Sequence, residues 1–178
     1  MVNFYTDNHG ERWGVMMQQK RNSCAVACTA MAEVYMKSQV TANMESIFRS
    51  LSQRFPESWN ENRGASMDNV VQMLRYRGLH CYDSYDYGAG GVWPYLYAYA
   101  NDNAPVITHI DWGVNKGAHA ILCVHVYKSD QKCIFLDPFY GLVENTGSNL
   151  PTYTVGAAGF PVIATGKLSG WLIITKPW

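Results

Sequence analysis

The stretch Gln18-Gln-Lys-Arg-Asn-Ser-Cys24-Ala-Val-Ala-Cys28 decides how the rest of the chain is read. Asn22 and Ser23 are helix-capping residue types, and they stand before Cys24-Ala-Val-Ala-Cys-Thr-Ala-Met-Ala-Glu-Val-Tyr-Met36, a run of helix formers. The spacing predicts a helix that starts at Cys24 and turns positions 28, 31, 32 and 35 toward a core. A cysteine placed there lies in the positive end of the helix dipole, which favours thiolate. Its backbone N–H has no intrahelical acceptor and is open to donate. Gln18, six residues upstream, carries a neutral amide that donates hydrogen bonds without becoming charged; Gln19 offers the same group one residue later.

Downstream, Met44, Ile47, Phe48, Leu51 and Phe55 form a second helical stripe stopped at Pro56. Ser66 caps a third helix that carries Met67, Val70, Val71 and Leu74 on one face, with Gly78 just past its end. Trp93-Pro94 suits the first turn of a short fourth. From Ala104 the pattern changes. Pro105 to Trp112 reads as a strand ending at Gly113, and Ala118 to Tyr127 as a longer one, apolar on both faces and so central in a sheet. Ser129-Asp130-Gln131 turns into Cys133-Ile-Phe-Leu-Asp137, which closes a hairpin before Pro138. Tyr153–Val155 and Trp171–Thr175 add two more strands. The expectation is one α+β domain over residues 1–178, with a helical part at about 18–100 and a β part at about 104–178.

A thiol nucleophile needs a depressed pKa, a base and donors aimed at an oxyanion. His119 opens the long strand and Asp137 closes its hairpin partner, so antiparallel pairing sets a carboxylate near an imidazole. His125 shares strand parity with His119 and is the alternative base; Asn145 and Asn149 are alternative orienting residues. Asp137 before Pro138 also reads simply as a turn former. Cys28, Cys81, Cys123 and Cys133 read as small core residues, as do His9, His80 and His109 as structural histidines. The tyrosines between Tyr82 and Tyr99, interleaved with glycines, read equally as aromatic subsites or as rings packed over the core. Trp112 reads as a shield for His119 or as strand packing.

The order of these pieces resembles that of papain-like cysteine peptidases of the compact bacterial type, the bacteriocin-processing (C39-like) and AvrRpt2-like peptidases. The string from Gln18 to Cys24 matches their Gln…Cys opening; Pro105-Val-Ile, Gly117-Ala-His119 and Asp137-Pro-Phe-Tyr-Gly141 follow in the family's order, and Gly170-Trp171 looks like its closing strand. Two positions depart from the pattern: Ala118 separates the glycine from His119, and Ala25 follows the cysteine where many relatives have Trp or Gly. Neither removes a reacting atom. The resemblance implies that Cys24 attacks a scissile carbonyl, His119 moves the proton, Asp137 orients the imidazole, and Gln18 with the Cys24 amide holds the oxyanion. It implies a protein or peptide substrate and no cofactor or metal, in an effector, a toxin or a processing enzyme. An amidase, deamidase or transglutaminase would use the same thioester, and an inactive binding module would keep the fold alone.

The bulk numbers narrow the field. Fourteen basic and fourteen acidic residues cancel, which argues against nucleic acid or an anionic membrane as partner. No apolar run approaches the roughly 18 residues of a membrane span, and no signal peptide is visible, so the expectation is a cytosolic protein or one that leaves by a signal-less route. Five cysteines are an odd set without a second metal-spaced pair, which argues against a disulfide framework and structural zinc. The oligomeric state is left open between a monomer and an assembly.

Overall fold

The structure is a computed structural model that describes residues 1–113, 117–156 and 162–176. The chain begins with an antiparallel hairpin, β1 (Val2–Thr6) and β2 (Arg12–Met16), in which Val15 pairs with Asn3 and Trp13 with Tyr5. Three helices follow: α1 (Cys24–Lys37), α2 (Met44–Ser52) and α3 (Met67–Tyr76). After a two-residue strand, β3 (Tyr85–Asp86), comes the short α4 (Val92–Tyr99) with Pro94 in its first turn, where the missing N–H removes no helical bond. The remaining strands are β4 (Val106–Asp111), β5 (Ala118–Tyr127), β6 (Lys132–Asp137), β7 (Gly141–Thr146), β8 (Thr152–Val155) and β9 (Ala164–Ile174).

They form one antiparallel sheet in the order β3-β9-β4-β5-β6-β7, with β8 paired to β9. β5 lies well inside this sheet, and its apolar run has the expected cause: both faces are covered. Ala120, Leu122 and Val124 join the core under α1, α2 and α3, whereas Ile121, Cys123 and Val126 join a second core with Val92 and Leu96 of α4 and Tyr153 of β8. Each fully buried leucine or isoleucine, such as Leu122 or Ile121, gains about 2 kcal/mol by leaving water.

Several details differ from the sequence reading. Ser23 precedes α1 but its side chain does not cap it; the hydroxyl is drawn to α2 instead. Ser66 does cap α3, accepting from the Asn69 N–H at 3.1 Å. α2 ends at Ser52, short of Pro56. The β1–β2 hairpin, β3 and β7 add strands where no strand was expected, and β9 begins at Ala164 rather than near Trp171.

Candidate active site

Three elements converge on one cleft. The N-terminus of α1 brings Cys24, the start of β5 brings His119, and the end of β6 brings Asp137. The cleft holds about 830 Å³ and is bordered by Gln18, Cys24, Trp112, His119, Phe139 and Tyr140, among others. Cys24 is half-buried at its floor, with its sulfur 3.5 Å from the donating N–H of Ala120. A narrower cavity of about 160 Å³ reaches Cys24 past Gly64, His109 and Trp171.

His119 Nε2–H donates to Asp137 Oδ1 at 2.8 Å, so the other ring nitrogen is the one left for the Cys24 thiol, which hydrogen-bonds the imidazole. Asp137 is fully buried and its oxygens are saturated. Oδ1 also accepts the N–H groups of Phe139 at 2.8 Å and Tyr140 at 3.1 Å, and Oδ2 accepts the Tyr153 hydroxyl at 2.9 Å. Asp137 is thus both the turn former and the partner of His119: the turn it caps fixes the carboxylate that fixes the ring.

Electrostatics follow from these contacts. Burial opposes ionisation of Cys24, but the hydrogen bond and charge of His119, with the N–H groups of Ala120 and Ala25, outweigh it and hold the thiol below its ordinary range. Burial likewise opposes the imidazolium. The hydrogen bonds to Asp137 and Cys24, and their charges, prevail and push His119 up to about 10. The two shifts favour the same species, a thiolate–imidazolium pair. Cys28, one turn along α1, has no such partner and burial pushes its thiol well up.

Gln18 borders the cleft. Its backbone N–H donates to the Pro138 carbonyl at 2.8 Å, which ties it to the Asp137 turn, and its amide nitrogen donates to the Lys20 carbonyl at 3.2 Å. Its Oε1 is buried without a hydrogen-bond partner among the described residues. Gln19 also borders the cleft, but it is exposed and its backbone is turned to α2.

The alternatives lie elsewhere. His125 packs against Trp13 and Tyr127, with ring centroids 5.8 and 4.5 Å away, because a bulge between Cys123 and His125 interrupts the register that would have kept it in phase with His119. Asn145 is bound through both side-chain atoms to the backbone of Thr154. Asn149 lies in the 3-10 turn after β7. His9 pairs with Asp130 at 2.9 Å. Tyr87 and Tyr95 stack at 3.9 Å, and among the described residues no tyrosine of the 82–99 segment borders either cavity at Cys24. Trp112 does: its ring lies 6.0 Å from that of His119. The sequence reading missed Tyr153, which looked like an ordinary strand residue; its only signal was a hydroxyl on an otherwise buried strand face. Among the described residues no group of His, Cys, Asp and Glu is arranged to hold a metal ion.

Comparison with known proteins bears on the fold and the family. Among curated proteins none matches the sequence. Several solved structures share the fold, among them the following two. One is a double glycine motif protease from an AMS/PCAT transporter in complex with the leader peptide, 19% identical with a TM-score of 0.59 over 92% of this chain and 91% of that one. The other is the peptidase domain of Streptococcus ComA, a bi-functional ABC transporter involved in a quorum-sensing pathway, 14% identical with a TM-score of 0.60 over 92% of this chain and 98% of that one. The profile of the Peptidase_C39 like family matches residues 12–151, most of the sequence. The chain belongs to that family, cysteine peptidases of the papain-like type.

Proposed function

We propose that the chain cleaves peptide bonds through a thioester on Cys24, as a processing peptidase. The observation that carries this reading is the shared imidazole: His119 holds Asp137 through Nε2 and Cys24 through its other nitrogen, in the cleft of about 830 Å³. In this scheme the Cys24 thiolate adds to the scissile carbonyl carbon, and the carbonyl electrons move to oxygen. The oxyanion is held by the Cys24 N–H at the start of α1 and by the Gln18 amide, which has a second N–H besides the one given to Lys20. As the tetrahedral species collapses, the C–N bond breaks and His119 gives its proton to the leaving amine. The neutral imidazole then takes a proton from water, which attacks the thioester and releases the new carboxylate and the thiolate. Asp137 keeps the ring in the tautomer that both steps need.

A peptide substrate is the natural occupant of the open cleft, and one neighbour of the same fold carries a leader peptide. The test is intact-mass labelling with the electrophilic peptide E-64 together with mass spectrometry of peptides incubated with the protein. The expected result is one adduct and peptide cleavage in the wild type, with both lost in Cys24→Ala. Labelling that persists in Cys24→Ala would sink the nucleophile assignment. A one-dalton gain on glutamine with no cleavage would make the chain a deamidase instead.

A further inference from the structure

The loop between Gln18 and Cys24 is held from the side by α2. Glu45, in the first turn of that helix, is fully buried, yet it is not spent on a simple pair along its own helix. Its Oε2 accepts the backbone N–H of Gln19 at 2.6 Å, and its Oε1 lies 2.7 Å from the Ser23 hydroxyl and 2.5 Å from Arg49 Nη1. Gln19 follows the oxyanion candidate; Ser23 precedes the nucleophile. Ser23 closes the loop on itself through its backbone N–H, which donates to the Lys20 carbonyl at 3.3 Å, and through its hydroxyl oxygen, which accepts the Lys20 N–H at 3.3 Å. Arg49 in turn lies over Trp59, whose Nε1–H donates to the Asn22 carbonyl at 3.1 Å. A buried carboxyl group is costly unless every lone pair is used, and here its donors come from both ends of one loop.

We propose that Glu45 is a positioning residue that sets the spacing between the Gln18 amide and the Cys24 thiol by binding the Gln19 N–H beside the first and the Ser23 hydroxyl beside the second. The proposal rests on the reading of Cys24 as nucleophile and Gln18 as oxyanion donor. It separates two properties of the site. The thiolate–imidazolium pair depends on α1, β5 and β6, to which Glu45 makes no hydrogen bond or ion pair among the described residues; the oxyanion geometry depends on the loop, which it holds.

The experiment uses the full chain and two probes. Iodoacetamide alkylation reports the thiolate and needs no oxyanion donor. Acylation by p-nitrophenyl acetate passes through an oxyanion and releases p-nitrophenolate. Glu45→Gln keeps the shape of the side chain but accepts at one oxygen only. The expected result is acylation slowed by about tenfold or more, from displacement of the donor, with alkylation within about twofold of wild type. Ser23→Ala, which removes one contact, should lower the ratio of acylation to alkylation by a smaller factor. If the two rates fall together, or neither falls, Glu45 is only structural and the proposal is overturned. If Glu45→Gln does not fold, as judged by circular dichroism, Ser23→Ala decides, and an unchanged ratio overturns the proposal. Failure of the underlying reading looks different: the p-nitrophenolate burst would survive in Cys24→Ala.

Discussion

Cys24 is the residue whose behaviour differs most from its type. Five free cysteines share the chain, and burial raises the pKa of Cys28, Cys81 and Cys123, whereas that of Cys24 is lowered. The cause is removable. In His119→Ala burial remains the largest influence on the thiol, without the hydrogen bond and charge that offset it. The rate of Cys24 alkylation against pH should therefore inflect below 9.0 in the wild type and at a higher pH in His119→Ala, read by peptide mapping after a pulse of iodoacetamide. An inflection that does not move would separate the thiol from the histidine. Gln18 makes a second, opposite kind of case. Its buried Oε1 has no hydrogen-bond partner among the described residues, so the side chain costs stability where it stands. Gln18→Met should slow peptide cleavage by about 10²-fold while leaving the melting temperature equal or higher. Cys24, His119 and Asp137 were legible because each sits at an element end marked by local signals: a helix start, a strand start, an Asp-Pro turn. Tyr153 and Glu45 were not, because the partners that tie them to the site lie 16 residues away for Tyr153 and 22 to 26 for Glu45, and no local pattern records which face meets them.

Among the elements, the long amphipathic or doubly buried ones were visible and the short ones were not. β5 announced itself because it serves two cores, so that Ala120, Ile121, Leu122, Cys123 and Val124 are apolar without alternation, and its boundaries, Ala118 and Tyr127, are those the sequence suggests. β7 was hidden by Asn145, a polar residue on its buried face that satisfies the backbone of Thr154 and so breaks the apolar alternation. β3 has two residues, too few for any period. β9 was seen only at its end because Gly166 and Gly170 interrupt its pattern. Gly170 has a steric reason. Its φ is +102°, a Cβ there would run into the backbone of Gly88, and its carbonyl accepts the Tyr87 N–H at 3.0 Å. Gly170→Ala should therefore cost at least about 2 kcal/mol by denaturant titration, because neither backbone can yield as a side chain would. A loss under about 0.5 kcal/mol, typical of an unconstrained surface change, would show that the two segments part easily.

At the scale of the molecule, the site exists only where the helical layer meets the sheet. Cys24 comes from one side, and His119 and Asp137 arrive about a hundred residues later from the other, so no fragment of the chain carries the lowered thiol by itself. This gives global unfolding an unusual signature. Cysteines normally become more reactive when a protein opens, because burial had hidden them and raised their pKa. Cys28, Cys123 and Cys133 are fully buried and should gain alkylation rate through the unfolding transition as they are uncovered. Cys24 should do the reverse at pH 6. Unfolding removes His119, Asp137 and the Ala120 N–H together, the thiol returns to its ordinary value of 9.0, and the thiolate fraction falls. Pulsed alkylation across a urea gradient, resolved cysteine by cysteine, should thus show one curve falling while three rise, with a common midpoint. A Cys24 rate that rises with the others would mean that the folded thiol is hidden rather than activated. A Cys24 rate that falls at lower urea than the others rise would mean that the two layers part before the cores melt.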